Sequence, residues 1–332
     1  ATVEVSDTAG VQVETVGRDD ERLGQGGVPF DRIAAQAYSS FETATVVTVG
    51  REVEVADPVT IALTGPGEGE VATGICSCAS SRSRRSPSSW ISGGSGTYAE
   101  NVEFVVGDSA HLNVVAVQDW ADDAVHVAAH HARLHRDAVL RHFTVGLGGD
   151  LVRISPTVKY DAPGGDAELL GLYFADAGQH LEQRLLVDHS QPHCKSNVVY
   201  KGALQGDLDS GKPDAHTVWI GDVLIRAEAE GTDTFELNRN LVLTDGARAD
   251  SVPNLEIETG EIVGAGHASA TGRFDDEQLF YLRARGIPPE DQARRLVVRG
   301  FFHELIEKIT VPPEVRERLE AAVEAELAAV GA

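Results

Sequence analysis

Asp108-Ser109-Ala110-His111-Leu112 leads into Asn113-Val114-Val115-Ala116-Val117. The arrangement returns at Asp137-Ala138-Val139-Leu140, before Phe143-Thr144-Val145-Gly146-Leu147. It returns again at Asp166-Ala167-Glu168-Leu169, before Gly171-Leu172-Tyr173-Phe174-Ala175. Leu112, Leu140 and Leu169 stand 28 and 29 residues apart. Short apolar strands between Asp and Gly turns, at a near-constant period, predict a stacked solenoid in which each coil covers the next. No long amphipathic helix separates the strands, which argues against a doubly wound sheet. A β-sandwich would need frequent two-residue Asn-Gly or Asp-Gly hairpins; Asp245-Gly246 is one of few candidates. The pattern favours a mainly β chain built on a β-helix.

The same language extends to the N-terminal side. Ala44-Thr45-Val46-Val47-Thr48-Val49, Val53-Glu54-Val55 and Val59-Thr60-Ile61-Ala62-Leu63 read as strands punctuated by Pro58 and Gly65-Pro66-Gly67. One short helix is expected around Pro29 to Phe41, with Asp31 near its start and Ile33, Ala34 and Ala37 on one face. The last 60 or so residues change period. Asp275-Asp276-Glu277 suits a helix N-terminus, and Gly286 stops that helix. Pro288-Pro289 begins a second, with Ala293, Leu296, Val297, Phe301, Leu305 and Ile309 on its stripe. Pro312-Pro313 begins a third, Val315 to Val330, striped by Leu319, Val323 and Leu327. The expected division is a β core over 1–272 and a helical region over 273–332 that caps the solenoid end.

Composition narrows the function classes. The chain has 332 residues, 42% hydrophobic and 24% charged, with 28 Lys and Arg against 52 Asp and Glu, for a net charge of −24. That acidity argues against binding nucleic acid or anionic lipid. No apolar run reaches the length of a membrane span, and no secretory pattern opens the chain. Three cysteines make no disulfide framework, so a reducing cytoplasm is expected. The chain starts at Ala1 and contains no Met, which suggests that an N-terminal region is missing.

Residues 74–92 read GICSCASSRSRRSPSSWIS, a Ser/Arg stretch inside an acidic β protein. With G/C-ending codons, reading from the third base of each codon turns it into approximately HLLVRVVAVAAVAVVVDLG. That string is apolar and strand-like. A frame change near Gly74, restored near Gly93, is therefore expected, and Cys76, Cys78 and Trp90 would then carry no function.

Few sites announce themselves. Gly206 to Lys212 matches a phosphate loop until Pro213 replaces the Ser or Thr, so it reads as a polar turn. Asp188 to Cys194 collects His189, His193 and Cys194. Neighbours on a strand point oppositely, which favours a buried structural Cys194 over a metal ligand. His126, His130, His131 and His135 have helical zinc-site spacing but lack the HExxH glutamate, and read as solvated side chains of an extended coil. His267 lies among small residues, Gly264-Ala265-Gly266 before it and Ala268-Ser269-Ala270-Thr271-Gly272 after it.

The stretch Gly266-His267-Ala268-Ser269-Ala270-Thr271-Gly272-Arg273-Phe274-Asp275-Asp276-Glu277-Gln278-Leu279-Phe280-Tyr281-Leu282-Arg283-Ala284-Arg285-Gly286-Ile287 resembles the C-terminal signature of the SufB/SufD family of iron–sulfur cluster assembly scaffolds. Pro192-His193-Cys194-Lys195-Ser196-Asn197, Tyr200-Lys201-Gly202, Asn238-Arg239-Asn240-Leu241 and Pro253-Asn254-Leu255-Glu256-Ile257 support it. His267 followed by Ala-Ser-Ala-Thr looks more like the SufD branch.

The resemblance implies a right-handed parallel β-helix in a subunit that is not itself an enzyme. It implies pairing with a SufB-like paralogue and binding of a SufC-like ATPase by the C-terminal helices. Phe280, Tyr281, Arg283, Phe301, Phe302 and Leu305 mark that docking region. It points to His267 at the cluster-forming interface, as a metal ligand shared with SufB, with Cys194 a weaker candidate. Some relatives carry Cys two residues before this His, where this chain has Ala265. Hence no cofactor is expected on this chain alone, only a transient iron–sulfur cluster at the interface. Neutral imidazole suits iron. A β-helix lyase or hydrolase acting on carbohydrate is the alternative from another class.

Overall fold

The computed structural model describes every residue except 51, 52, 56, 81–85, 288, 289, 309–312 and 330–332. Arg82, Arg84, Arg85, Pro288, Pro289, Ile309, Pro312 and Val330 thus lie outside the described residues, as do the side chains of Leu279, Ala293, Pro313, Val315 and Leu327. Eighteen strands form two nine-stranded sheets. The first runs β1 (Thr2–Val5), β4 (Val59–Thr64), β6 (Ser86–Gly94), β8 (His111–Trp120), β10 (Val139–Gly146), β12 (Asp166–Ala175), β14 (Lys195–Leu204), β16 (Asp233–Val242) and β18 (Gly264–Arg273). The second runs β2 (Val11–Gly17), β3 (Thr43–Val49), β5 (Val71–Ser80), β7 (Thr97–Val106), β9 (Val125–Leu134), β11 (Leu151–Tyr160), β13 (His180–His189), β15 (Ala215–Ile225) and β17 (Ala247–Ile257). Pairing is parallel except where β1 meets β4 and β2 meets β3. The chain alternates between the sheets, making a parallel β-solenoid of about eight turns.

The repeat sets the ladder, with one adjustment. Leu112 pairs with Leu140, but Leu140 pairs with Ala167 and Leu169 with His142. The third coil is therefore offset by two residues, which keeps every side chain on its expected face because strand alternation has a period of two. Inward residues fill one long core that includes Leu112, Leu140, Leu169, Tyr173, Tyr200 and Trp219. Large and small residues alternate along it. A Cβ on Gly202 would meet the Tyr173 ring at 1.9 Å, and one on Gly171 would meet the Tyr200 ring at 2.0 Å. Each tyrosine fills the space that a glycine of the paired strand leaves.

One corner explains the Asp-rich turns. Ser109, Asp137 and His193 have left-handed φ of 55, 54 and 59°, and Gly164 and Gly231 share the position at 85 and 70°. Their N–H groups donate up the stack, from Ser109 to Arg136, Asp137 to Pro163, Gly164 to Pro192 and His193 to Glu230. The buried residue after each is small: Ala110, Ala138, Gly165, Cys194 and Thr232. Cys194 belongs to this column.

The Ser/Arg segment is not a loop. Its described residues form β5 and β6, paired with β7 and β8. The four-histidine stretch corrects another expectation: His126, His130 and His131 are buried, not solvated. In β9 the residues four apart share a face, so His126 and His130 both enter the lumen. His126 stacks on Trp120, and His130 Nδ1 lies 3.0 Å from His142 Nε2. His131 faces outward beneath the N-terminal segment, 3.1 Å from Asn101 Oδ1.

Burial pushes His142 down to about 4. A histidine held neutral in the fold but free to protonate when unfolded contributes stability that is lost as pH falls from about 6.5 through 4. The stability advantage of wild type over His142→Gln is expected to shrink by roughly 2 kcal/mol between pH 7 and pH 5. Urea unfolding midpoints of both proteins at the two pH values check this; a constant gap contradicts it.

The N-terminal segment straps the outer face of the second sheet. Helix α1 (Arg32–Ser40) is capped by Asp31, whose side chain accepts from the Ala34 N–H. Ala34 and Ala37 are buried as expected, whereas Ile33 is exposed. Buried Glu103 accepts the N–H groups of Gly24 and Gly26, at 2.8 and 3.0 Å.

The C-terminal helices are α2 (Asp276–Ala284), α3 (Glu290–Lys308) and α4 (Pro313–Ala329). They correct the expected cap. Val298, Phe302, Leu305 and Ile306 of α3 and Leu319 and Val323 of α4 join a buried cluster with Val115, Phe143, Leu170, Leu172 and Val199 on the outer face of the first sheet. Among the described residues the helices cover a flank and leave the last coil uncovered. The buried stripe of α3 is also turned from the expected one, with Leu296 exposed and Phe301 only half-buried. Lys201 Nζ pins this packing, donating to Phe301 O at 2.8 Å and Glu304 Oε2 at 2.9 Å.

Candidate functional site at the open end of the solenoid

Strands β17 and β18 each pair with one neighbour, so both sheets end in an open edge among the described residues. Their side chains are largely exposed. An open parallel edge presents unpaired N–H and C=O groups and is a ready template for another chain. Polar groups line the lumen just beneath. The Tyr173 hydroxyl donates to Asn240 Oδ1 at 2.7 Å and accepts from Asn238 Nδ2 at 2.9 Å. Asn240 Nδ2 donates to Asn238 Oδ1, which also accepts from the Ser251 hydroxyl of the last coil at 2.7 Å. Asn238 and Asn240 thus terminate the apolar core with satisfied polar groups.

His267 stands on this open end. It lies on β18 as the direct partner of Glu236 on β16. Its side chain is 44% exposed, whereas that of Glu236 is 1% exposed, and His267 Nδ1 lies 3.7 Å from Glu236 Oε1. Among the described residues neither Glu236 oxygen has a hydrogen-bond partner. Burial, and then the charge of Asp222, push the Glu236 carboxyl up to about 8. Opposite it sits Gly221, where a Cβ would come within 2.4 Å of Glu236 Oε2.

Glu236 was not among the candidate residues. Its signal is parity: Thr234, Glu236, Asn238, Asn240 and Val242 share the inward face of β16, and a charged residue there is out of place in a core.

The other candidates separate. Cys194 is fully buried at the corner, its thiol 3.7 Å from Ala162 O and 3.6 Å from Pro192 O, and burial raises its pKa. It stands at the corner before β14, two coils below β18, in a column of small residues, which fits a structural role. No group of three or more His, Cys, Asp and Glu is placed to hold a metal among the described residues. Phe302 and Leu305 are buried against the sheet and present nothing outward. Phe280, Tyr281 and Arg283 of α2 are exposed, at 74% for Phe280 and 55% for Tyr281. The Arg285 guanidinium lies 3.6 Å from the centre of the Tyr281 ring. Residues 206–212 form an exposed turn before β15, with no helix following. Among the described residues no helix is long and apolar enough to cross a membrane.

Comparison with known proteins identifies a family. A family model described as "SUF system FeS cluster assembly, SufBD core domain" matches residues 72–301. A Mycobacterium tuberculosis protein named as an iron–sulfur cluster assembly SufBD family protein is 69% identical over 327 residues, covering 98% of this chain and 82% of the relative. A Mycobacterium leprae protein with the same family name is 67% identical over 325 residues, with the same coverage. A second Mycobacterium tuberculosis protein of that name is 26% identical over 226 residues, covering 68% of this chain and 25% of its own length.

Proposed function

The chain belongs to the SufBD family of iron–sulfur cluster assembly proteins, and from that premise we propose that it is the SufD-like, non-catalytic scaffold subunit of an assembly complex. Its last coil pairs with a SufB-like solenoid, and α2 docks a SufC-like ATPase. A nascent cluster forms transiently at the junction, with His267 as this subunit's contribution and further ligands from the partner. The open last coil carrying His267 is the observation that supports this reading most directly. The exposed Phe280, Tyr281 and Arg283 support the ATPase surface. Mycobacterium tuberculosis encodes two distinct relatives of the chain, which fits a heteromeric pair. The family match favours assembly over the glycan-cleaving alternative.

The test is pairing with a SufB-like paralogue in solution. Ser269→Arg with Thr271→Arg puts bulk and charge on the open end at two exposed positions. This double variant is expected to keep its circular dichroism spectrum and weaken pairing by at least about tenfold, since an interface core tolerates an unpaired charge poorly. Phe280→Ala with Tyr281→Ala is expected to weaken ATPase capture and leave pairing intact. Unchanged pairing in the first variant removes the last coil as the interface.

A further inference from the structure

Glu236 is a buried carboxyl group without a hydrogen-bond partner among the described residues, directly beneath an exposed imidazole. Such a group is costly to bury unless something pairs with it. Across the lumen, Gly221 on β15 leaves the space that Glu236 Oε2 occupies, since a Cβ there would come within 2.4 Å of it. Trp219 closes the lumen below and is fully buried.

We propose that Glu236 and His267 together form a two-donor half-site for a divalent iron ion at the open end of the solenoid. This rests on the scaffold reading above and adds to it a second ligand from this chain. The 3.7 Å between His267 Nδ1 and Glu236 Oε1 suits one shared ion. With metal–nitrogen and metal–oxygen bonds of about 2.1 Å, donors at that separation subtend an angle of about 120° at the metal. No strand has to move. Once the Glu236 carboxyl gives up its proton to solvent as the ion binds, it is a hard anionic donor beside a borderline imidazole, a pair that suits ferrous iron. Two donors leave the outward positions of the ion free, which is what handing an iron to or from a partner requires.

The test uses the full chain and cobalt(II) as a spectroscopic stand-in for ferrous iron, followed by anaerobic titration with iron(II) itself. Wild type is expected to bind one ion with ligand-field bands that report nitrogen and oxygen donors. Glu236→Gln keeps the shape of the side chain and is expected to weaken binding by about tenfold or more, as His267→Ala does. The double variant is expected to lose no more than the weaker single variant. Binding by Glu236→Gln equal to wild type overturns the proposal, and so does the absence of any binding by wild type, alone or paired. Pairing with the paralogue is measured on the same samples. Glu236→Gln should leave it unchanged, so failure of the metal site is distinguished from failure of the scaffold reading.

Discussion

Phe302→Asp is expected to lower the unfolding free energy by about 4 kcal/mol or more and to free α3 and α4 from the sheet. Truncating a buried phenylalanine alone costs about 3–5 kcal/mol, and a buried unpaired charge adds to that. Phe302 is fully buried in the cluster that joins α3 to Phe143, Leu170, Leu172 and Val199. Phe280→Ala, at a residue 74% exposed, is expected to change stability by less than about 0.5 kcal/mol. Urea midpoints, with limited proteolysis of the segment after Arg273, separate the two. An unchanged midpoint for Phe302→Asp would mean that α3 is not seated on the sheet, and would return Phe302 to the docking surface. The contrast also decides how the ATPase surface should be probed. Deleting α3 would uncover the apolar sheet face, and any loss of binding would then be uninterpretable. Point changes on α2 avoid that.

The solenoid was legible because its period is written in both strands and turns. The Asp and Gly corners recur where the backbone needs a left-handed residue, and β5–β18 all run 8–11 residues. The position of the helices was less legible, yet the signal exists. Leu169-Leu170-Gly171-Leu172-Tyr173-Phe174 is apolar on both parities, as is Val114-Val115-Ala116-Val117. A strand apolar on both faces is covered on both faces, so something had to lie on the flank of the first sheet. The face of α3 was ambiguous for a local reason. Val297-Val298 and Phe301-Phe302 are adjacent pairs, and a 3.6-residue period fits either member. The structure selects Val298 and Phe302. The histidines misled because polarity suggests solvent. Their strand parity places His126 and His130 with Ala128 and Leu134 in the lumen, where burial pushes the His130 imidazole well below its usual range. His267 gained its meaning from the resemblance and from the open edge, and Glu236 from its place beneath it.

Replacing residues 74–92 with the apolar string of the alternative frame, but keeping Cys78 and Trp90 where that string would bury an Arg and an Asp in the core, is expected to raise the melting temperature by about 5 °C or more. The coil formed by β5 and β6 fills its part of the core with small polar side chains. Ser80, Ser86 and Ser92 are buried on inward parity, and among the described residues the Trp90 indole N–H and the Ser92 hydroxyl have no hydrogen-bond partner. A gap lined by Val47, Val49, Ile61, Cys78, Ser86 and Leu112 lies in the same coil. Each orphaned buried polar group costs about 1–3 kcal/mol, and underfilled space adds to the loss. For a chain of this size each kcal/mol moves the midpoint by about 2 °C. The coils above β5 and β6 show what the position prefers. Val102, Phe104, Val106, Leu112 and Val114 fill the same inward columns with apolar side chains. Calorimetry of the two proteins checks the expectation, and the nucleotide sequence of codons 70–95 provides an independent check. A replaced coil that melts at the same temperature, or lower, would make the Ser/Arg segment a genuine turn of this solenoid. Cys76 and Cys78, adjacent on the inward face of β5, would then rank as real features of the lumen.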